Sequence, residues 1–110
     1  MNAAALLLIA LVGAHLLLDY AGQGDFMSRA KSPLQGVPGI PWRVILWSHA
    51  AIHGAAVALI TGVWWLFVLE TIAHAWLDRA KCRGRITFTQ DQAGHLGCKL
   101  AWWLVAVWLA

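Results

Sequence analysis

The sequence predicts an all-α polytopic membrane protein: one domain over residues 1–110 folded as a four-transmembrane-helix bundle, both termini outside. Three observations lead there. Of the 110 residues, 61% are hydrophobic and 12% charged, against about 45–50% and 25% in soluble domains; mean hydropathy is +0.67. The apolar residues fall into four segments of membrane-spanning scale. Apart from Lys99, the basic residues lie in two connecting stretches: Arg29, Lys31 and Arg43, then Arg79, Lys81, Arg83 and Arg85. Cytoplasmic loops collect Lys and Arg, so loops 21–41 and 80–91 are expected on that side. The net charge of +3 thus reads as a topology signal, and no nucleic-acid partner is expected.

The first helix is expected over about residues 2–20, nearly unbroken Ala and Leu, long enough at 1.5 Å per residue to cross about 28 Å. It lacks the basic start and small-residue cleavage site of a signal peptide. Loop 21–41, rich in Gly and Pro, can prolong that helix before turning. Pro41 suits the start of the second helix, about 42–60, because a missing N–H costs nothing at the first helical position. "TG" at Thr61 and Gly62 closes a tight hairpin into the third helix, about 63–79. The fourth covers about 92–110, with Thr89 and Gln92 at capping-box spacing. No strand is expected in "RITFT". Ala50, Gly54 and Ala58 form a small-residue stripe that lets helices approach closely. Trp42 and Trp76, with Trp64, Trp65 and Trp108, fit two interfacial belts; Trp102 and Trp103 read as packing or lipid-facing. Cys82 and Cys98 have no metal-type spacing.

Polar residues recur at one spacing. "HLLLD" gives His15 and Asp19, "HAAIH" His49 and His53, "HAWLD" His74 and Asp78, "DQAGH" Asp91 and His95. Each predicted helix carries one pair at i, i+4, which puts both side chains on one face. Helices one and three end with their pairs; helices two and four begin with theirs. All eight residues then fall within about 15 Å of the cytoplasmic boundary. Glu70, one turn before His74, extends the same face.

An ionisable side chain at mid-bilayer costs about 2.5–3.5 kcal/mol on insertion scales. Stability alone favours leucine at these positions, so the cluster needs another reason. Imidazoles and carboxylates converging from several helices fit a divalent metal, with Zn, Mn, Fe and Ni undistinguished. The expected ligands are His15, His49, His53, His74, Asp78 and His95. Asp19 and Asp91 are the candidate catalytic bases. Gln23, Lys31, Glu70, Lys81 and Gln92 are possible supports, although Lys31 and Lys81 read first as contacts to lipid headgroups. Asp25 and Arg29 read as a solvated pair.

The motifs "HLLLDYAGQ" followed by Lys31, "HAAIH", "HAWLDRAK" and "DQAGH" resemble a small membrane family catalogued as domain of unknown function 3307. Their order and spacing cover nearly the whole chain; "GDF" at residues 24–26 falls after the motif, where "LDY" holds its position. The resemblance implies an integral protein of the bacterial inner membrane, multi-pass and often phage- or prophage-borne, and implies no activity. The four-helix His and Asp arrangement also looks like membrane-bound metal-dependent hydrolases, by analogy alone.

Three functions follow as expectations. One is metal-dependent hydrolysis of a lipid-linked or phosphorylated substrate entering from the inner leaflet. The second is proton or metal-ion transport, against which the outer half offers only Thr61 as a polar step. The third is a non-catalytic phage membrane factor, holin-like or an exclusion protein, which leaves the histidines without a role. The bilayer, an anionic substrate and a further copy of the chain are the expected partners.

Overall fold

Asn2 starts the first helix by accepting the Ala5 N–H at 2.8 Å through its side-chain oxygen, satisfying one of the helix's free donors. The computed structural model, which describes residues 2–110, shows α1 over Ala3–Leu16, continued by a π-helical turn over Leu17–Ala21. The π register closes with Gly22 N–H donating to Leu17 O at 2.7 Å. A Cβ at Gly22 would lie 3.1 Å from that same oxygen, which is why a glycine ends the turn. The turn is a departure from the continuous helix expected from the sequence.

Gly24, at φ 71°, reverses the chain into α2, Gly24–Ala30. The stretch to Pro41 is held by Ser32, whose hydroxyl accepts from Leu34 and Gln35, and it contains only an isolated Val37–Ile40 bridge. α3, Trp42–Thr61, follows Pro41 as expected and ends at left-handed Gly62, φ 73°. α4, Leu66–Cys82, packs back on α3 as a hairpin. α5, Phe88–Leu109, begins four residues before the expected start. Its capping box is Thr87 with Gln90, not Thr89 with Gln92; Gln92 is thereby free to turn inward. No strand occurs among the described residues.

The small-residue stripe does the work anticipated for it. Ala50 and Gly54 are buried, and a Cβ at Gly54 would stand 2.6 Å from the Phe67 carbonyl and against the Thr71 hydroxyl. Only glycine lets the backbones of α3 and α4 come this close.

The bundle is apolar outside and polar within. Twelve polar or charged residues are buried against eight hydrophobic ones. Leu59, Trp64, Trp76 and Trp108 are at least 75% exposed. Leu11, Val57 and Leu66 form an apolar cap beside Trp102 and Trp103, at the end away from the basic loops.

Two helical stretches, Ala3–Ala21 and Trp42–Thr61, are long and apolar enough to cross a membrane, at mean hydropathies of 2.0 and 1.6. Four such helices were expected, and α4 and α5 fall short of that measure. α4 is short, at 17 residues. Glu70 and Asp78 on α4, and Asp91 and Lys99 on α5, also lower the average although all four are buried, while Leu69, Ile72, Leu100 and Leu104 face outward.

Candidate metal centre

Every long helix directs its i, i+4 residues into one cluster. His15 and Asp19 come from α1 and its π turn, His49 and His53 from α3, Glu70, His74 and Asp78 from α4, and Asp91, His95 and Lys99 from α5. None of these is more than 7% exposed. Helical rows at this spacing bury one edge, so the sequence pattern and the packing coincide.

Two carboxylates organise the centre. Oδ1 of Asp19 lies 3.0 Å from His53 Nε2, 3.2 Å from His49 Nε2 and 3.5 Å from His74 Nε2. Asp78 places Oδ1 3.2 Å from His95 Nε2, and Oδ2 3.4 Å from both His49 Nε2 and His74 Nε2. Asp91 Oδ1 is 3.2 Å from His95 Nε2. His74 is the middle ring, with centroids of His53 and His95 at 3.7 and 4.1 Å.

Gln92 joins the two ends of the chain here. Its carbonyl accepts from His15 Nε2 at 3.0 Å, and its amide donates to Asp19 Oδ2 at 3.3 Å and Asp91 Oδ2 at 3.0 Å. Gln23 accepts from Lys31 through its side chain and donates to the Asp19 carbonyl.

Two lysines enter the centre: Lys31, read from the sequence as a possible support but first as a headgroup contact, and Lys99, which the sequence pattern did not single out. Lys31 is buried, not at a headgroup, and its Nζ donates to Asp78 Oδ2 at 2.9 Å. Lys99 is buried as well and donates to Glu70 Oε1; Trp102 Nε1 donates to Glu70 Oε2 at 2.6 Å. Lys99 completes the 91, 95, 99 row, the signal that could have revealed it. Lys81 stays outside the centre, its ammonium 5.2 Å from the Phe88 ring centroid; it stands at the very end of α4, past the last inward-facing pair. Asp25 and Arg29 form the expected exposed pair at 3.1 Å.

The donor set fits a cation. His15, Asp19, His53 and His74 offer ligand atoms all within 4.8 Å of one another, and so do Asp19, His74, Asp78 and His95. Asp19 and His74 belong to both sets; His49 and Asp91 stand beside them. Hydrogen bonding leaves the group unsatisfied: His53 Nε2, both nitrogens of His74 and Asp91 Oδ1 have no partner in acceptable geometry. One carboxylate oxygen has two lone pairs and cannot serve three imidazoles. Charge gives the same answer. Counted with every imidazole neutral, four buried carboxylates (Asp19, Glu70, Asp78, Asp91) face two buried ammonium groups (Lys31, Lys99), which leaves two negative charges in the buried core.

The fold and this cluster define an all-helical bundle with an inverted, polar core whose His and Asp side chains could hold a metal ion. The chain belongs to the family described as protein of unknown function (DUF3307), whose model matches residues 7–110. No curated protein and no solved structure matches it.

Proposed function

We propose that the chain is a multi-pass protein of the bacterial inner membrane, in which all four long helices cross the bilayer and the polar core holds one divalent cation. The membrane placement is supported by the inverted packing. Only 17% and 33% of the residues in the two most apolar windows are buried, whereas a core helix of a soluble protein buries most of its apolar face. α4 turns Glu70 and Asp78 inward and keeps its basic residues to its last turn, and α5 buries Asp91 and Lys99, so mean hydropathy understates how well their outer faces suit lipid.

The observation that carries the metal reading is the pair of overlapping ligand sets around Asp19 and His74, with unpaired imidazole nitrogens aimed among carboxylates. His15, His53, His74 and His95 would hold the ion with Asp19 and Asp78. His49 orients Asp19 through its 3.2 Å hydrogen bond, as outer partners of metal ligands commonly do. One divalent ion cancels the two residual negative charges, so the assembly of ion and side chains enters the membrane neutral.

We assign the centre to hydrolysis of a phosphorylated or lipid-linked substrate reached from the basic-loop side. A bound divalent cation lowers the pKa of its water toward about 7 and polarises a phosphoryl oxygen. The proton acceptor in this proposal is Asp91, which lies outside both ligand sets and whose Oδ1, 3.2 Å from His95 Nε2, makes no hydrogen bond in acceptable geometry. The test is phosphate release from a phosphorylated lipid in mixed micelles by metal-loaded protein. Release that disappears with chelator and in Asp91→Asn supports hydrolysis; no release from metal-loaded wild type contradicts it.

A second reading is favoured by the closed site, with every ligand at most 7% exposed. Structural metal sites are closed whereas catalytic ones keep an open position. A resident ion or an ion in passage would then take the place of a catalyst. The apolar cap of Leu11, Val57 and Leu66 weighs against passage. Proton or metal flux in liposomes separates these cases.

A further inference from the structure

The outer face of α4 changes character along its length. Leu69, Ile72 and Trp76 lie on one stripe at i, i+3 and i+7, and Ala80 and Arg83 continue it. The first part of the stripe, together with Leu77, Gly94 and Trp102, lines an apolar groove of about 620 Å³ between α4 and α5, within the range of about 300–1,000 Å³ that small-molecule sites occupy. Gly94 keeps the groove open and the helices close, because a Cβ there would stand 2.8 Å from Leu77 Cδ2. Immediately past Trp76, which is 75% exposed, Arg79, Arg83 and Arg85 gather around the same indole.

These arginines have no internal counter-charge. The chain has five acidic residues: Asp19, Glu70, Asp78 and Asp91 are buried in the centre, and Asp25 is paired with Arg29. Arg79, Arg83 and Arg85 are exposed and form no ion pair among the described residues. Three guanidinium groups at the end of a lipid-facing groove, with an indole at the junction, match one ligand shape: an anion joined to a hydrocarbon chain. Guanidinium forks suit phosphate oxygens, and indoles sit where acyl chain meets headgroup. A second copy fits poorly, since isologous pairing of this face would oppose like charges.

We propose that this face binds an anionic phospholipid of the bilayer, with one acyl chain along Ile72, Leu77 and Trp102 and the phosphate on Arg79, Arg83 and Arg85. The inference rests on the membrane placement proposed above but does not depend on the metal or its chemistry. Trp102 links the two, since its ring lines the groove and its N–H is bonded to Glu70.

The experiment is native mass spectrometry of the full chain released from micelles containing equal phosphatidylglycerol and phosphatidylcholine. One phosphatidylglycerol retained per wild-type chain is expected. Retention should fall about tenfold or more in R79Q/R83Q/R85Q, and also in Ile72→Gln, which puts an amide in the groove. Arg29→Gln should leave it unchanged, because that guanidinium is paired with Asp25 on α2. Equal retention of the two lipids, or wild-type retention in the triple variant, overturns the lipid site while leaving the membrane placement intact. A chain that stays in solution without detergent and fails to float with vesicles overturns both.

Discussion

Lys99 donates its ammonium proton to Glu70 across the α4–α5 interface, and each side chain is 1% exposed. The pair sits between the imidazole cluster and the apolar cap, with the Glu70 carboxylate also 3.5 Å from His74 Nδ1. Glu70 therefore connects a fixed internal cation to the central ring of the metal centre.

Removing one member of such a pair strands the other charge without water, at a cost of about 3–5 kcal/mol. Lys99→Met is expected to lower stability by that amount. Lys99→Met with Glu70→Gln should recover at least about 1 kcal/mol of it, since no charge remains and the amide can still accept from Trp102. Unfolding in mixed micelles, followed by far-ultraviolet circular dichroism, reads both values; additive losses would show that the two residues are not coupled.

His74 and Asp19 are shared by both ligand sets, whereas His15 and His53 belong to one and His95 and Asp78 to the other. His74→Ala is therefore expected to abolish metal retention through desalting. His15→Ala and His95→Ala should each weaken it and leave one set usable. His49→Gln, which removes the imidazole beside both Asp19 and Asp78, should weaken affinity by about 10–100-fold. Competition against a chromophoric chelator ranks the four; an unaffected His74→Ala would remove the assigned centre.

Much of this arrangement is legible in the sequence. The i, i+4 pairs specify which faces turn inward, and four of them at one depth specify a common chamber. What could not be read depended on packing between helices. Lys31 resembles any basic residue beside a membrane until α2 folds back and delivers it to Asp78. Lys99 is a lone cation in an apolar run until Glu70 is found opposite. The π turn at Asp19 has no period of its own, and two Thr-x-x-Gln spacings two residues apart left the start of α5 ambiguous. Burying the ionic faces of α4 and α5 also hid their outward apolarity from an average over the whole helix.

Two glycines offer a control on helix packing. Gly54→Ala forces a Cβ toward the Phe67 carbonyl and the Thr71 hydroxyl, an overpacking expected to cost about 1–3 kcal/mol. Gly13→Ala meets nothing within 4 Å and should be neutral or stabilising by up to about 1 kcal/mol, the propensity difference in a helix. Thermal unfolding in detergent compares them; equal effects would contradict the close α3–α4 contact.

Metal content per chain is the most direct test of the central claim. Protein extracted from membranes in mild detergent, without chelator or added metal, is measured by elemental analysis beside His74→Ala. The imidazole and carboxylate donor sets that share His74 predict one divalent transition-metal ion per wild-type chain and none in the variant. A wild-type chain without metal that also fails to take up Zn, Mn, Fe or Ni on titration, or equal content in both proteins, would contradict it.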